Sequence, residues 1–150
     1  MTNPTNSNDL SLARSLLDSG YSVVLVRDGI ELAARAGNGV KPLLEAVDAA
    51  KGDVDGAALA DRVVGVAVAK MCVLFGVRAV HGSLMSEPAK QILEDGGIIA
   101  SFDRLVPRIL NRTKTGPCPI EAMALGPVSP EELFKDLRVR FQTSTPPGTS

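Results

Sequence analysis

Apolar and polar positions change period several times along the chain. "DLSLARSLLDSG" carries apolar residues at helical spacing and stops at Gly20, a residue suited to a helix C-terminus. "YSVVLVRDGIELAARAG" reads as two strands around Asp28-Gly29, a strong short-range hairpin pattern. "KPLLEAVDAAKG" follows as a short helix with Pro42 near its first turn. "GAALADRVVGVAVAKMCVLFG" is apolar almost all round, with only Asp61, Arg62 and Lys70 charged. That pattern predicts one buried helix packed under a sheet. "VRAVHGSLM" and "IIASF" read as strands, separated by a helix that Ser86 caps, with Glu87 and Pro88 in its first turn. "DRLVPRILNR" predicts an amphipathic helix with Leu105, Val106, Ile109 and Leu110 on its apolar face. Pro119 starts a further helix, and Ser129-Pro130-Glu131-Glu132 starts the last one, through about Phe141. The expected order is α-β-β-α-α-β-α-β-α-α, a mixed α/β domain.

Composition narrows the class. The chain has 150 residues, enough for one domain with a real core. Aromatics make up 3%, with no Trp, so the core must rest on Val, Leu, Ile and Ala. A formal net charge of −1 and so few rings for stacking argue against a nucleic-acid partner. No uncharged apolar run is long enough for a membrane span, and the N-terminus lacks an apolar signal core. Two cysteines cannot make a disulfide framework, and a cytoplasmic protein is expected. Segments 1–8 and 142–150 are rich in Thr, Ser, Asn and Pro and are expected to be disordered tails around a single domain over 9–141.

Five stretches, "KPLLEAV", "GAALADRVVG", "SEPAKQIL", "LVPRILNRT" and "GPCPIE", occur in an order and spacing that resemble a domain-of-unknown-function family, number eighteen ninety-three of that series. The resemblance spans roughly Leu10 to Leu125. It implies a cytidine-deaminase-like fold: a three-layer α-β-α domain whose mixed sheet begins with a β-hairpin. It implies a fold and not a reaction. This chain has Val66 where the family usually carries a second lysine.

The implied fold can be tested against zinc chemistry. Zinc deaminases place H-x-E at one helix start and P-C-x-x-C at the next. The corresponding stretches here read Leu59-Ala60-Asp61 and Ser86-Glu87-Pro88-Ala89. His81 is the only histidine, and Cys72 falls inside the apolar run. Three N/S ligands are therefore not assembled, and neither a metal nor another cofactor is expected. The resemblance puts Asp61 at the position of the proton shuttle, and Ser86 and Glu87 at positions of zinc ligands. Asp61 could equally only stabilise a helix start, and Ser86 is an ordinary N-cap.

Cys118 precedes Pro119, so it falls at a helix N-terminus, where a thiol becomes a better nucleophile. Glu121 stands where it can reach back to the helix cap. The competing reading is a tight turn around a small buried residue. Arg104, Arg108 and Arg112 recur at helical spacing, a pattern that usually marks a solvated face. Asn111 and Arg112 enter the loop before Gly116, where a guanidinium suits a phosphate or carboxylate.

Three functions fit these residues. The first is a zinc-free protein binding a small nucleotide-like or other anionic molecule near Asp61, Ser86, Glu87, Asn111, Arg112, Cys118 and Glu121. The second is an enzyme with Cys118 as nucleophile and Asp61 or Glu121 as acid or base. The third is a non-catalytic accessory or assembly protein, and the sequence is compatible with a homo-oligomer.

Overall fold

The computed structural model describes residues 4–110 and 118–141. Eleven elements follow one another among them: α1 (Pro4–Leu17), β1 (Val23–Arg27), β2 (Ile30–Arg35), α2 (Lys41–Ala49), β3 (Ala58–Val64), α3 (Val66–Phe75), β4 (Ala79–Ser86), α4 (Glu87–Asp95), β5 (Ile99–Val106), α5 (Pro119–Leu125) and α6 (Pro130–Phe141). The first helix thus takes in part of the segment expected to be a tail. Residues 1–3 and 142–150 lie outside the described residues.

The strands form one mixed sheet in the order β2-β1-β3-β4-β5. β1 pairs antiparallel with both β2 and β3, while β3-β4 and β4-β5 are parallel. Asp28 and Gly29 take φ of 54° and 77°, the left-handed turn that matches the twist of a two-residue hairpin. Asp9 of α1 fastens that turn: its carboxylate accepts hydrogen bonds from Asp28 N (2.9 Å) and Gly29 N (2.7 Å).

Strand alternation divides the core. Val24, Val26 and Ala60 face α1, where Ala13 and Leu17 cover them. Val23, Leu25, Leu59 and Val80 face the other way, under α2, α3 and α4, with α5 and α6 packed on α3. The result is the expected three-layer α-β-α arrangement with the hairpin at its start. Among the described residues, no helix is long and apolar enough to cross a membrane.

Two segments differ from the expected elements. Residues 56–76 are not one helix but a central strand, a break at Gly65, and then α3. A strand buried on both faces is a continuous apolar run, which periodicity does not separate from a buried helix. The "DRLVPRILNR" segment does not begin a helix either. β5 continues through Asp103, Arg104 and Leu105 to Val106, pairing with β4 as far as Ser86. Pro107 follows at once, and the residue before a proline is pushed toward extended backbone.

Candidate functional site

The correction at β3 moves Asp61. It lies within the strand, paired with Val23 on one side and Gly82 on the other, and not at a helix start. Its side chain follows Leu59 onto the face under α3 and is 6% exposed. One carboxylate oxygen accepts a hydrogen bond from Val63 N at 3.2 Å. Burial outweighs the backbone hydrogen bonds and pushes its pKa up to about 8, so the acid is mostly protonated at neutral pH. Cys72 of α3 lies near it. Burial first, and the Asp61 carboxylate second, raise that thiol far above its ordinary value.

The helix start after β3 is Gly65-Val66-Ala67, and its anion position is filled from within. Glu121 of α5, also 6% exposed, accepts hydrogen bonds from Val66 N (2.8 Å) and Ala67 N (3.0 Å). These are two of the N–H groups a helix start leaves unpaired, and the dipole there favours negative charge. Gly65 makes this geometry available: a Cβ at that position would stand 2.5 Å from the carboxylate. α3 returns the contact at the far end of α5. Lys70 Nζ donates to Ala124 O (2.7 Å), Val128 O (3.0 Å) and Gly126 O (3.4 Å). A cation near the last carbonyls of a helix is favourable for the same dipolar reason. α5 is therefore tied to α3 at both ends by opposite charges.

Cys118 is the N-cap residue of α5, partly buried, with Pro119 in the first helical turn and no side-chain capping bond. It lines a cavity of about 120 Å³ together with Glu121, Gly65, Val68, Ile120 and Phe141. A second cavity, of about 270 Å³, adjoins it, since Val63 and Ile109 line both. Its floor is a cross-strand row at the carboxyl ends of the parallel strands: Val63 pairs with Leu84, and Leu84 with Arg104. Val106, Arg108 and Leu110 complete its wall.

Of the residues expected to share one site, the structure brings Cys118 and Glu121 into the same cavity. Asp61 lies beneath α3 and lines neither hollow. Ser86 is fully buried as the N-cap of α4, its Oγ accepting from Ala89 N at 3.2 Å. Glu87 is exposed in the first turn of that helix. Neither lines a described cavity. Asn111 and Arg112 lie outside the described residues. Arg104 and Arg108, read from sequence as a solvated helical stripe, are instead a strand residue and a loop residue that line one cavity. Lys70 was legible only as a lone charge in an apolar run.

His81 stands apart, on the α1 face, where its neighbours in register are Ala60 and Ser101. Nδ1 is 2.7 Å from Ser101 Oγ and Nε2 is 3.4 Å from Asp103, which also meets Arg14 at 3.7 Å. Burial, with the charge of Arg14, holds its pKa below the ordinary histidine value despite Asp103. Among the described residues, no group of three or more His, Cys, Asp or Glu side chains could hold a metal ion.

No curated protein is similar in sequence to this chain. A crystal structure of a DUF1893 family protein from Thermotoga maritima superposes with a TM-score of 0.80 at 21% identity, over 94% of this chain and 93% of that one. A dCMP deaminase from the cyanophage S-TIM5 is a more distant likeness: TM-score 0.46 and 14% identity, over 68% of this chain and 99% of that one. The model of one family, described as Domain of unknown function (DUF1893), matches residues 11–141, and the chain belongs to that family.

Proposed function

We propose that the protein binds a small anionic molecule at the carboxyl ends of β3, β4 and β5. One observation carries this reading: Arg104 and Arg108 line a single cavity of about 270 Å³. Among the described residues, neither has a carboxylate partner. In open α/β sheets, ligand crevices lie outside the carboxyl ends of the strands. Planar guanidinium groups there suit a phosphate or a carboxylate, which each can hold with two parallel hydrogen bonds.

The thiol-enzyme reading has less support. Cys118 faces a cavity, but a nucleophile of this kind needs a base within hydrogen-bond reach. The oxygens of Glu121 are engaged by Val66 and Ala67. His81 is engaged with Ser101 and Asp103 on the α1 face.

Titration calorimetry with inorganic phosphate and with small carboxylates tests the binding reading. Saturable binding is expected for the unaltered protein. Arg104→Ala and Arg108→Ala should each weaken it by roughly ten- to a hundredfold, the worth of one charge-assisted hydrogen-bond pair. Both side chains are exposed, so thermal unfolding should not change. Absence of saturable binding, or binding that both variants leave intact, would reject the reading.

A further inference from the structure

We infer that the ligand is an anion bearing a compact aliphatic group, with its charge at Arg104 and Arg108 and its apolar part beside Cys118. This rests on the anion-binding reading and adds the chemical class of the rest of the molecule. The two hollows differ in lining. The larger has the two arginines among aliphatic side chains, with no aromatic ring among the described residues that line it. The smaller is lined largely by Val40, Val63, Val68, Ile109, Ile120 and Phe141. Glu121, its one charged group among the described residues, is already satisfied by the first turn of α3, so that carboxylate neither seeks a cation nor offers a general base.

Val63 and Ile109 line both spaces, so the two are neighbours, and the inferred ligand reaches from one into the other. The volumes set its size. About 120 Å³ is room for a compact group of a few methylenes and not for a long chain. The lining selects against a planar base. Stacking requires aromatic faces, and Phe141 is the only ring at either cavity among the described residues. A short alkyl chain needs only apolar walls. Its burial contributes about 0.8 kcal/mol per methylene, a fourfold gain in affinity for each.

A homologous series decides the matter: methyl, ethyl, propyl, butyl and hexyl phosphate, with the matching alkanoates in parallel, titrated against the full chain. Affinity should rise about fourfold per methylene as far as butyl and then level off. Cys118→Leu should flatten the series while leaving methyl phosphate binding unchanged. Val68→Phe, which fills the same hollow from α3, should do likewise if the first variant folds poorly. Arg104→Ala should weaken every member alike. Whichever series binds more tightly identifies the head group as phosphate or carboxylate. A flat series in the unaltered protein, with methyl phosphate still bound, would overturn the aliphatic class and leave the anion site standing. A nucleoside monophosphate binding more tightly than butyl phosphate would also overturn it. Binding of no member would remove both readings.

Discussion

Two buried carboxylates, one in a strand and one on a helix, meet very different surroundings. Glu121 and Asp61 are equally withdrawn from solvent, each 6% exposed. Glu121 meets the first turn of α3, where two N–H groups have no helical partner, and takes a hydrogen bond on each oxygen. Asp61 sits in the middle sheet strand, where most backbone donors belong to the ladder, and receives Val63 N at 3.2 Å. Its pKa rises to about 8. Asp9 behaves as Glu121 does: it is 2% exposed and accepts from the two N–H groups of the hairpin turn. Burial alone does not decide how well an acid is hydrogen-bonded. What decides it is how many backbone donors the fold leaves free at that place: helix starts and tight turns leave several, while most donors in a strand are taken by the ladder.

The largest effect that could break this comparison is the pH dependence of Asp61. In the unfolded chain the group titrates near 3.8, and in the folded protein near 8. Between those values the folded state holds the extra proton, so stability falls as pH rises through the window and levels off above it. The slope is up to about 1.4 kcal/mol per pH unit. Asp61→Asn has no such slope. It should therefore gain on the unaltered protein by several kcal/mol, on the order of 4, between about pH 4 and pH 8. Urea unfolding at four pH values would show it. A stability difference that stays constant from pH 5 to pH 8 would mean that the acid is not held protonated.

Next in size is Glu121→Ala, which strips the partners from Val66 N and Ala67 N in a buried place. Each hydrogen bond to a charged acceptor is worth about 1.5–3 kcal/mol, so a loss of roughly 3 kcal/mol or more is expected. Glu121→Gln keeps one acceptor oxygen and should fall between. If the alanine variant unfolds within about 1 kcal/mol of the parent, the first turn of α3 finds water instead, and the contrast with Asp61 collapses.

The hairpin, α2, α4 and α6 were legible because each carries local chemistry: Asp28-Gly29, Pro42, Ser86 with Pro88, and Ser129 with Glu132. Ser129 N and Oγ and the Glu132 side chain and N–H do form the reciprocal cap that this spacing predicts. β3 was not legible, because its flanks are small residues and only Gly65 separates its apolar end, Val63-Val64, from the apolar start of α3. The end of β5 was hidden by chance spacing. Leu105, Val106, Ile109 and Leu110 mimic a helical stripe, while the pairing that holds the strand comes from β4, distant in sequence. The site was partly legible. Cys118 and Glu121 announced themselves through Pro119. The partner of Glu121 is 55 positions away, and nothing local to either residue records it. Arg104 and Arg108 were visible as charges, but their shared cavity depends on the end of β5, whose apolar spacing mimics a helix.

The smallest effect sharpens the comparison most directly, because it isolates one contact. Gly65 has extended backbone, with φ of −102° and ψ of −169°, so an alanine there carries no conformational strain of its own. Its added Cβ would meet the Glu121 carboxylate at 2.5 Å. The carboxylate is the far end of a flexible side chain and can retreat, but retreat lengthens the bonds to Val66 N and Ala67 N. Gly65→Ala should therefore cost less than Glu121→Ala, about 1–2 kcal/mol, and it should cost that only while the carboxylate is present. In a Glu121→Ala background the same substitution should be nearly neutral, which gives a coupling energy close to the whole single-variant effect. The cycle needs four proteins and one unfolding measurement on each. Additive costs would show that Gly65 is required by something other than Glu121, and the helix start would lose its claim to have been shaped around an internal anion.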